Sequence, residues 1–167
     1  TLLKAFQMVF DKHSDWTLHL IGQDFEDDYS NLIKSYIKME GLEQNVFIYG
    51  TKNDTVNIIR QADITILTSN SEGLPVALIE YGLLSKPTVT TNVGEIPSIV
   101  INKENGFLVN VEDLNSFYNY LTVLINDVNL LLLQSKSAPT VISFNIAGNS
   151  VKFICLKTKL PLLPLRI

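Results

Sequence analysis

Along the first two thirds of the chain, apolar positions alternate between helical spacing and short unbroken runs. Leu2, Leu3, Phe6, Val9 and Phe10 recur every three to four residues, which predicts an amphipathic helix that Asp11 to Asp15 break. Trp16 to Ile21 reads as a strand closed by Gly22. From about Tyr29 to Glu40 helical spacing returns, with Leu32, Ile33, Tyr36, Ile37 and Met39 expected mostly inward and Gly41 as the stop. Val46 to Tyr49 is a strand ending at Gly50, and Asp54 is placed to cap a short helix from Thr55 to Gln61. Asp63 leads into the buried strand Ile64 to Thr68, and Pro75 opens a helical segment from Val76 to Leu84. Lys86-Pro87 turns the chain into strand Thr88 to Thr91, after which Asn92-Val93-Gly94 forms a loop and Ile99 to Ile101 continues helical. Asn105-Gly106 turns into strand Phe107 to Val109, and Asp113 caps a helix through about Ile125 with Leu114, Phe117, Tyr118, Leu121 and Leu124 inward. This alternation predicts an α/β fold, a Rossmann-like parallel sheet with helices on both faces.

After Asn126 the pattern fades. Leu130 to Leu133 and Phe144-Asn145-Ile146 are apolar, but Pro139 and Gly148 interrupt any helical reading. The end, Leu160-Pro161-Leu162-Leu163-Pro164-Leu165, is too rich in proline for regular helix and reads as an apolar contact strip without its partner. The expected division is a domain over 1–128 and a C-terminal helical segment and tail over 129–167. The start lacks both an initiator Met and a signal-peptide layout, so the chain reads as a piece of a longer protein, entered partway through a helix.

Composition narrows the picture. Hydrophobic residues make up 46% and charged residues 18% of the 167, a globular balance in a length that suits one domain. A formal charge of −4 argues against a nucleic-acid partner, which needs clustered Lys and Arg. The single Cys155 rules out an internal disulfide framework, and two histidines, His13 and His19, are too few for a histidine metal site. Asp24, Glu26, Asp27 and Asp28 cluster, but loop and helix start are the natural places for such residues, and no metal is expected there.

The chemistry gathers in Ser71-Glu72-Gly73-Leu74-Pro75-Val76-Ala77-Leu78-Ile79-Glu80, between a strand and a helix. Proline suits a first helical turn because its missing N–H has no partner there anyway. The free amides of that turn, with the helix dipole, favour an anion such as a phosphate. Gly73 lets backbone approach a ligand closely. Glu72 in the loop and Glu80 inside the helix are pure acceptors, suited to the paired hydroxyls of a sugar rather than to a phosphate. Amides for a diphosphate and acids for two sugars describe a nucleotide-sugar. On spacing alone the other reading stays open, with both carboxylates merely solvated.

The Glu-x7-Glu of Glu72 and Glu80 resembles the signature of the family 4 (group 1) retaining glycosyltransferases. The continuation Tyr81 to Pro97 and Asn105-Gly106-Phe107-Leu108-Val109 resemble that family too, and the similarity runs from about Thr1 to about Val128. It implies the C-terminal, donor-binding half of the two-domain GT-B architecture. The implied reaction moves a sugar from a UDP-, GDP- or ADP-sugar to an acceptor hydroxyl in surface polysaccharide or glycolipid synthesis. The nucleotide-sugar is a substrate, so no cofactor is implied. By the resemblance Glu72 holds the donor sugar's hydroxyls as the catalytic-site acid, and Glu80 holds the nucleoside ribose. Gly73, Leu74, Pro75 and Val76 would line the diphosphate. Tyr49, Gly50, Thr51 and Lys52 would neighbour the base and phosphates, with Gly22 and Gly94 on the cleft rim. Plain strand packing for Tyr49 and a plain turn for Gly22 remain open. The family's usual Gly-Gly and Pro-Glu stand here as Gly94-Glu95 and Pro97-Ser98, which puts donor roles for Glu95 and Ser98 in doubt. The family's basic pair would lie upstream of Thr1, and neither His13 nor His19 matches its catalytic histidine. The expected partners are the nucleotide-sugar donor and a missing N-terminal acceptor domain, and this piece alone is expected to be inactive. The expected place is the cytoplasm, with the full-length enzyme a candidate for peripheral membrane association. A nucleotide-sugar epimerase of similar architecture and a non-catalytic nucleotide-sugar-binding module are the alternatives.

Overall fold

The computed structural model describes residues 1–127, residue 130 and residues 153–158. The order of elements is α1 (Leu2–Phe10), β1 (Trp16–Ile21), α2 (Asp28–Met39), β2 (Val46–Ile48), α3 (Thr55–Gln61), β3 (Ile64–Leu67), α4 (Val76–Leu83), β4 (Thr88–Thr91), α5 (Ile96–Ile99), β5 (Phe107–Val109), α6 (Leu114–Asn126) and β6 (Phe153–Thr158). The six strands form one sheet in the order β2-β1-β6-β3-β4-β5. Pairings β1–β2, β3–β4 and β4–β5 are parallel, with Leu18 opposite Val46, Ile66 opposite Val89 and Thr90 opposite Leu108.

Right-handed crossovers dictate which face each helix takes. The chain steps one way from β1 to β2 and the other way from β3 to β5, so the connecting helices fall on opposite faces. On the first face Ala5, Phe6 and Val9 of α1, Ile37 of α2, and Phe117, Leu121 and Leu124 of α6 bury against Trp16, Leu18, Val46, Ile64, Ile66, Val89, Phe107 and Val109. On the second face Ile58 and Ile59 of α3, Ala77, Leu78 and Tyr81 of α4, and Ile96 of α5 pack with Ile21 and Leu67. This is the parallel α/β sheet with helices on both faces that the alternation predicted.

Local signals explain the boundaries. Asp27, Asp54 and Asp113 cap α2, α3 and α6, accepting hydrogen bonds from the backbone N–H of Ser30, Asn57 and Ser116 respectively. Gly41, at φ +65°, closes α2 while its own N–H and that of Leu42 donate to the carbonyls of Lys38 and Ile37. Lys86 Nζ donates to the carbonyls of Arg60 and Ala62 at 2.8 and 2.7 Å, fastening the end of α3 to the turn before β4.

The structure departs from the pattern in four places. Leu32 and Met39 of α2 are 64% and 72% exposed, because the helix lies at the sheet's edge and only Ile37 is fully covered. Pro75 is the N-cap of α4, with extended backbone at ψ 109°, so Val76 is the first helical residue. The helix after Gly94 spans only Ile96–Ile99 and ends before Val100. Strand β6 belongs to the span read as a helical segment and tail, yet it lies between β1 and β3 and runs antiparallel to both, making an otherwise parallel sheet mixed. The readings of Leu131 to Leu133, Pro139, Phe144 to Ile146, Gly148 and Leu160 to Leu165 lie outside the described residues. Among the described residues no helix is long and apolar enough to cross a membrane.

Candidate donor site at the carboxyl edge of the sheet

Where a doubly wound sheet reverses direction, the flanking loops part and leave a crevice outside the carboxyl ends of the strands. Here the reversal lies between β1 and β3. Apart from Glu80, which lies inside α4, the residues singled out in the sequence fall on loops or at a helix start at that edge. They form two groups. Gly22 and Gly50 follow β1 and β2, and the N–H of Gly22 donates to the carbonyl of Gly50 at 3.1 Å. Ser69 to Val76 and Asn92 to Gly94 follow β3 and β4. Strand β6 stands between the groups, so they lie about 10 Å apart in the sheet, twice the interstrand spacing.

The second group is tightly interlocked. Gly94 adopts φ +52°, and a Cβ there would sit 1.8 Å from the carbonyl oxygen of Glu72, so only glycine allows the two loops to meet. Thr91 Oγ1 donates to the carbonyl of Ser69 at 2.7 Å, tying the end of β4 to the start of the β3 loop. Ser69 Oγ donates to Glu72 Oε1 at 2.5 Å. Gly73 has open space where a Cβ would be, and its neighbour Leu74 is 50% exposed. At the start of α4 the N-cap Pro75 offers no side-chain cap to the first-turn amides.

Glu80 lies one turn further into α4. Its side chain is half-buried, and Oε2 is shut away from solvent without a hydrogen-bond partner among the described residues. Burial pushes this carboxyl above the usual glutamate range, because the charged form loses hydration and gains no donor in return. A glutamate on a wet helix face would show neither feature. An acceptor held this way is poised for donors brought by a ligand.

Tyr49 stands just beyond β2 rather than within it, and its hydroxyl lies 3.0 Å from His19 Nδ1. The His19 ring is fully buried, stacks on Phe47 and on Tyr49 at 5.2 and 5.6 Å, and meets Thr17 Oγ1 through Nε2 at 2.9 Å. The sequence marked Tyr49 but not its histidine partner. The polar-in alternation Thr17-x-His19 on a strand was the available signal. Thr51, exposed, and Lys52, half-buried, follow Gly50 on the loop after β2. The acidic cluster is divided between Asp27, which caps α2, and Asp24, which pairs with Lys34 at 2.6 Å. That ammonium, with the backbone N–H of Glu26, holds the Asp24 carboxyl down to about 2.

Similarity to known proteins agrees with this geometry. The chain is 31% identical over 135 residues to an uncharacterized glycosyltransferase of Haemophilus influenzae, covering 80% of this chain and 37% of that protein. The chain therefore spans little more than a third of the length of that relative. Its fold matches the crystal structure of the C-terminal domain of a group 1 glycosyl transferase from Francisella tularensis, with a TM-score of 0.74, 25% identity, and 82% and 73% of the two chains covered. It also matches the Anabaena protein HepE in complex with UDP-glucose, with a TM-score of 0.65, 25% identity, and 68% of this chain and 32% of that chain covered. The model of the family described as "Glycosyl transferases group 1" matches residues 1–139, which include the interlocked loops, the uncapped helix start and the buried carboxylate, and the chain belongs to that family.

Proposed function

We propose that this chain is the donor-binding half of a retaining glycosyltransferase, and that its carboxyl-edge crevice holds a nucleoside-diphosphate sugar. The observation that carries the reading is Glu80 Oε2, a buried acceptor without a partner on the helix that follows the Glu72 loop. In this reading Glu80 accepts hydrogen bonds from ribose hydroxyls, and Glu72 accepts them from the transferred sugar. The backbone around Tyr49, Gly50 and Thr51, with Gly22, borders the base. The backbone from Gly73 and Leu74 through the N-cap Pro75 to Val76, the first residue of α4, faces the diphosphate at a helix start without a side-chain cap. When the bond between the anomeric carbon and the phosphate oxygen breaks, negative charge grows on the diphosphate. Amides already aimed there stabilise it without reorganising. The acceptor hydroxyl and its activating group belong to an N-terminal half. This chain alone is accordingly a binding unit without turnover, and the whole enzyme works from the cytoplasm on surface polysaccharide or glycolipid. The UDP-glucose complex of the Anabaena protein supports a uridine donor first, with GDP- and ADP-sugars as the other candidates.

The test is donor binding by calorimetry for the wild type and Glu80→Gln, with a thermal melt of each. The amide keeps the shape and removes the charge-assisted hydrogen bonds, so donor affinity should fall about tenfold to a hundredfold while folding survives. Unchanged affinity in a folded variant overturns the role given to Glu80.

A further inference from the structure

We propose that Ser69 is a positioning residue for Glu72, holding its carboxylate in the one orientation that reads the sugar of the donor. The inference rests on the donor-site reading above and adds a residue to it. A carboxylate on an exposed loop normally rotates among several staggered positions, and each contact it later makes must overcome that freedom. Glu72 is different, because the Ser69 hydroxyl spends its single proton on Oε1 at 2.5 Å. Ser69 is itself anchored from the other side, where its carbonyl accepts from Thr91 Oγ1 at 2.7 Å. Thr91 is a buried residue at the end of β4, 6% exposed, so the anchor stands on the sheet rather than on another loop. The Glu72 carbonyl also packs closely against Gly94, whose missing Cβ leaves room for it. The carboxylate of this one loop residue is therefore tied to the sheet through Ser69 and Thr91. With Oε1 held by Ser69, Oε2 remains to accept from a ligand, which presents the sugar with a preset acceptor rather than a mobile one.

Three roles for the Ser69 hydroxyl lead to different outcomes. If Ser69 only stabilises the loop, removing its hydroxyl lowers the melting temperature and leaves sugar recognition alone. If Ser69 touches the donor directly, its effect adds to that of Glu72. If it acts through Glu72, its effect disappears once the carboxylate is gone.

The experiment compares binding of nucleoside diphosphate with binding of the matching nucleotide-sugar, using UDP with UDP-glucose, GDP with GDP-mannose and ADP with ADP-glucose. The ratio of the two dissociation constants isolates the contribution of the sugar. Glu72→Ala should reduce that ratio by roughly tenfold for the pair that binds. Ser69→Ala should reduce it by about threefold to tenfold with diphosphate affinity unchanged, and Ser69→Thr, which keeps the hydroxyl, should restore it. Ser69→Ala combined with Glu72→Ala should be no worse than Glu72→Ala alone. Additive losses, or a Ser69→Ala ratio equal to wild type while Glu72→Ala lowers it, overturn the positioning role. A ratio that Glu72→Ala does not move for any of the three pairs overturns the donor-site reading beneath it.

Discussion

The two faces of the sheet are built from different chemistry. The face covered by α1, α2 and α6 is lined by Trp16, Leu18, Ile64, Ile66, Val89, Phe107 and Val109, to which alternation adds the buried Thr91 at the end of β4. By strand alternation the face covered by α3, α4 and α5 receives Thr17, His19, Thr65, Thr88 and Thr90, every one of them buried. Most of these polar groups are satisfied. Thr65 and Thr88 share a hydrogen bond at 2.7 Å, and His19 joins Thr17 to Tyr49. Thr90 Oγ1 and Glu80 Oε2 are the buried acceptors left unpaired among the described residues, and both belong to elements packed on this second side. The helix that carries the proposed diphosphate site and Glu80 is also on that side. The first face supplies stability mainly by apolar burial, while the second gives up part of that gain to hold more polar groups near a crevice.

The largest effect that would break this comparison lies on the first face. Phe117 is 1% exposed in the first turn of α6, and Phe117→Ala should cost about 3–5 kcal/mol through lost burial and the cavity left behind. Urea unfolding followed by circular dichroism measures it. A loss below about 1 kcal/mol would mean the two faces share the load more evenly than their composition says.

An intermediate effect of opposite sign is expected at Thr90. Thr90→Val replaces an unpaired buried hydroxyl with a methyl group of nearly the same shape, so the fold should gain about 1 kcal/mol in the same assay. Destabilisation there would show that the hydroxyl has a partner worth keeping.

The smallest effect is also the most discriminating, because it separates stability from binding at one residue. Burial raises the Glu80 pKa in the folded state above its unfolded value. A group shifted in that direction favours folding below the unfolded pKa, where it is protonated, and loses that advantage as pH rises through the folded pKa. Once ionised, Glu80 is therefore a burden on the empty fold. Glu80→Gln should melt slightly higher than wild type at pH 7, by less than about 1 kcal/mol since the side chain is only half-buried. The difference should shrink as pH falls through the raised folded pKa and be gone below the unfolded value of about 4.3, as melts across that range would show. A variant that is more stable empty and weaker with donor marks a residue kept for its ligand. A variant less stable at every pH would assign Glu80 to the core instead.

Much of this architecture was legible along the chain. The strands Trp16–Ile21, Thr88–Thr91 and Phe107–Val109 and the helix Thr55–Gln61 match their expected bounds to the residue. These segments are short and bounded by Gly, Pro or a capping Asp, so local chemistry alone sets their ends. Glu72, Glu80 and Gly73 stood out because strand, small polar loop and proline-led helix follow one another without interruption. The exposure of Leu32 and Met39 was not legible, since helical spacing says which residues share a face but not how far the sheet extends beneath it.

What the sequence determined by itself was the list of elements and the stretch that carries the acids, because caps, turns and periodicity act over a few neighbours. Which residues meet was decided only by the tertiary fold. Gly94 and Glu72 are far apart in the chain, as are Thr91 and Ser69 or His19 and Tyr49, and they touch because parallel pairing brings the carboxyl ends of adjacent strands level. The same holds for β6, whose place between β1 and β3 depends on hydrogen-bonding partners from distant segments. Burial of one oxygen of Glu80 belongs to that level too. Solvent exclusion is a property of everything packed around an atom, and no local pattern encodes it.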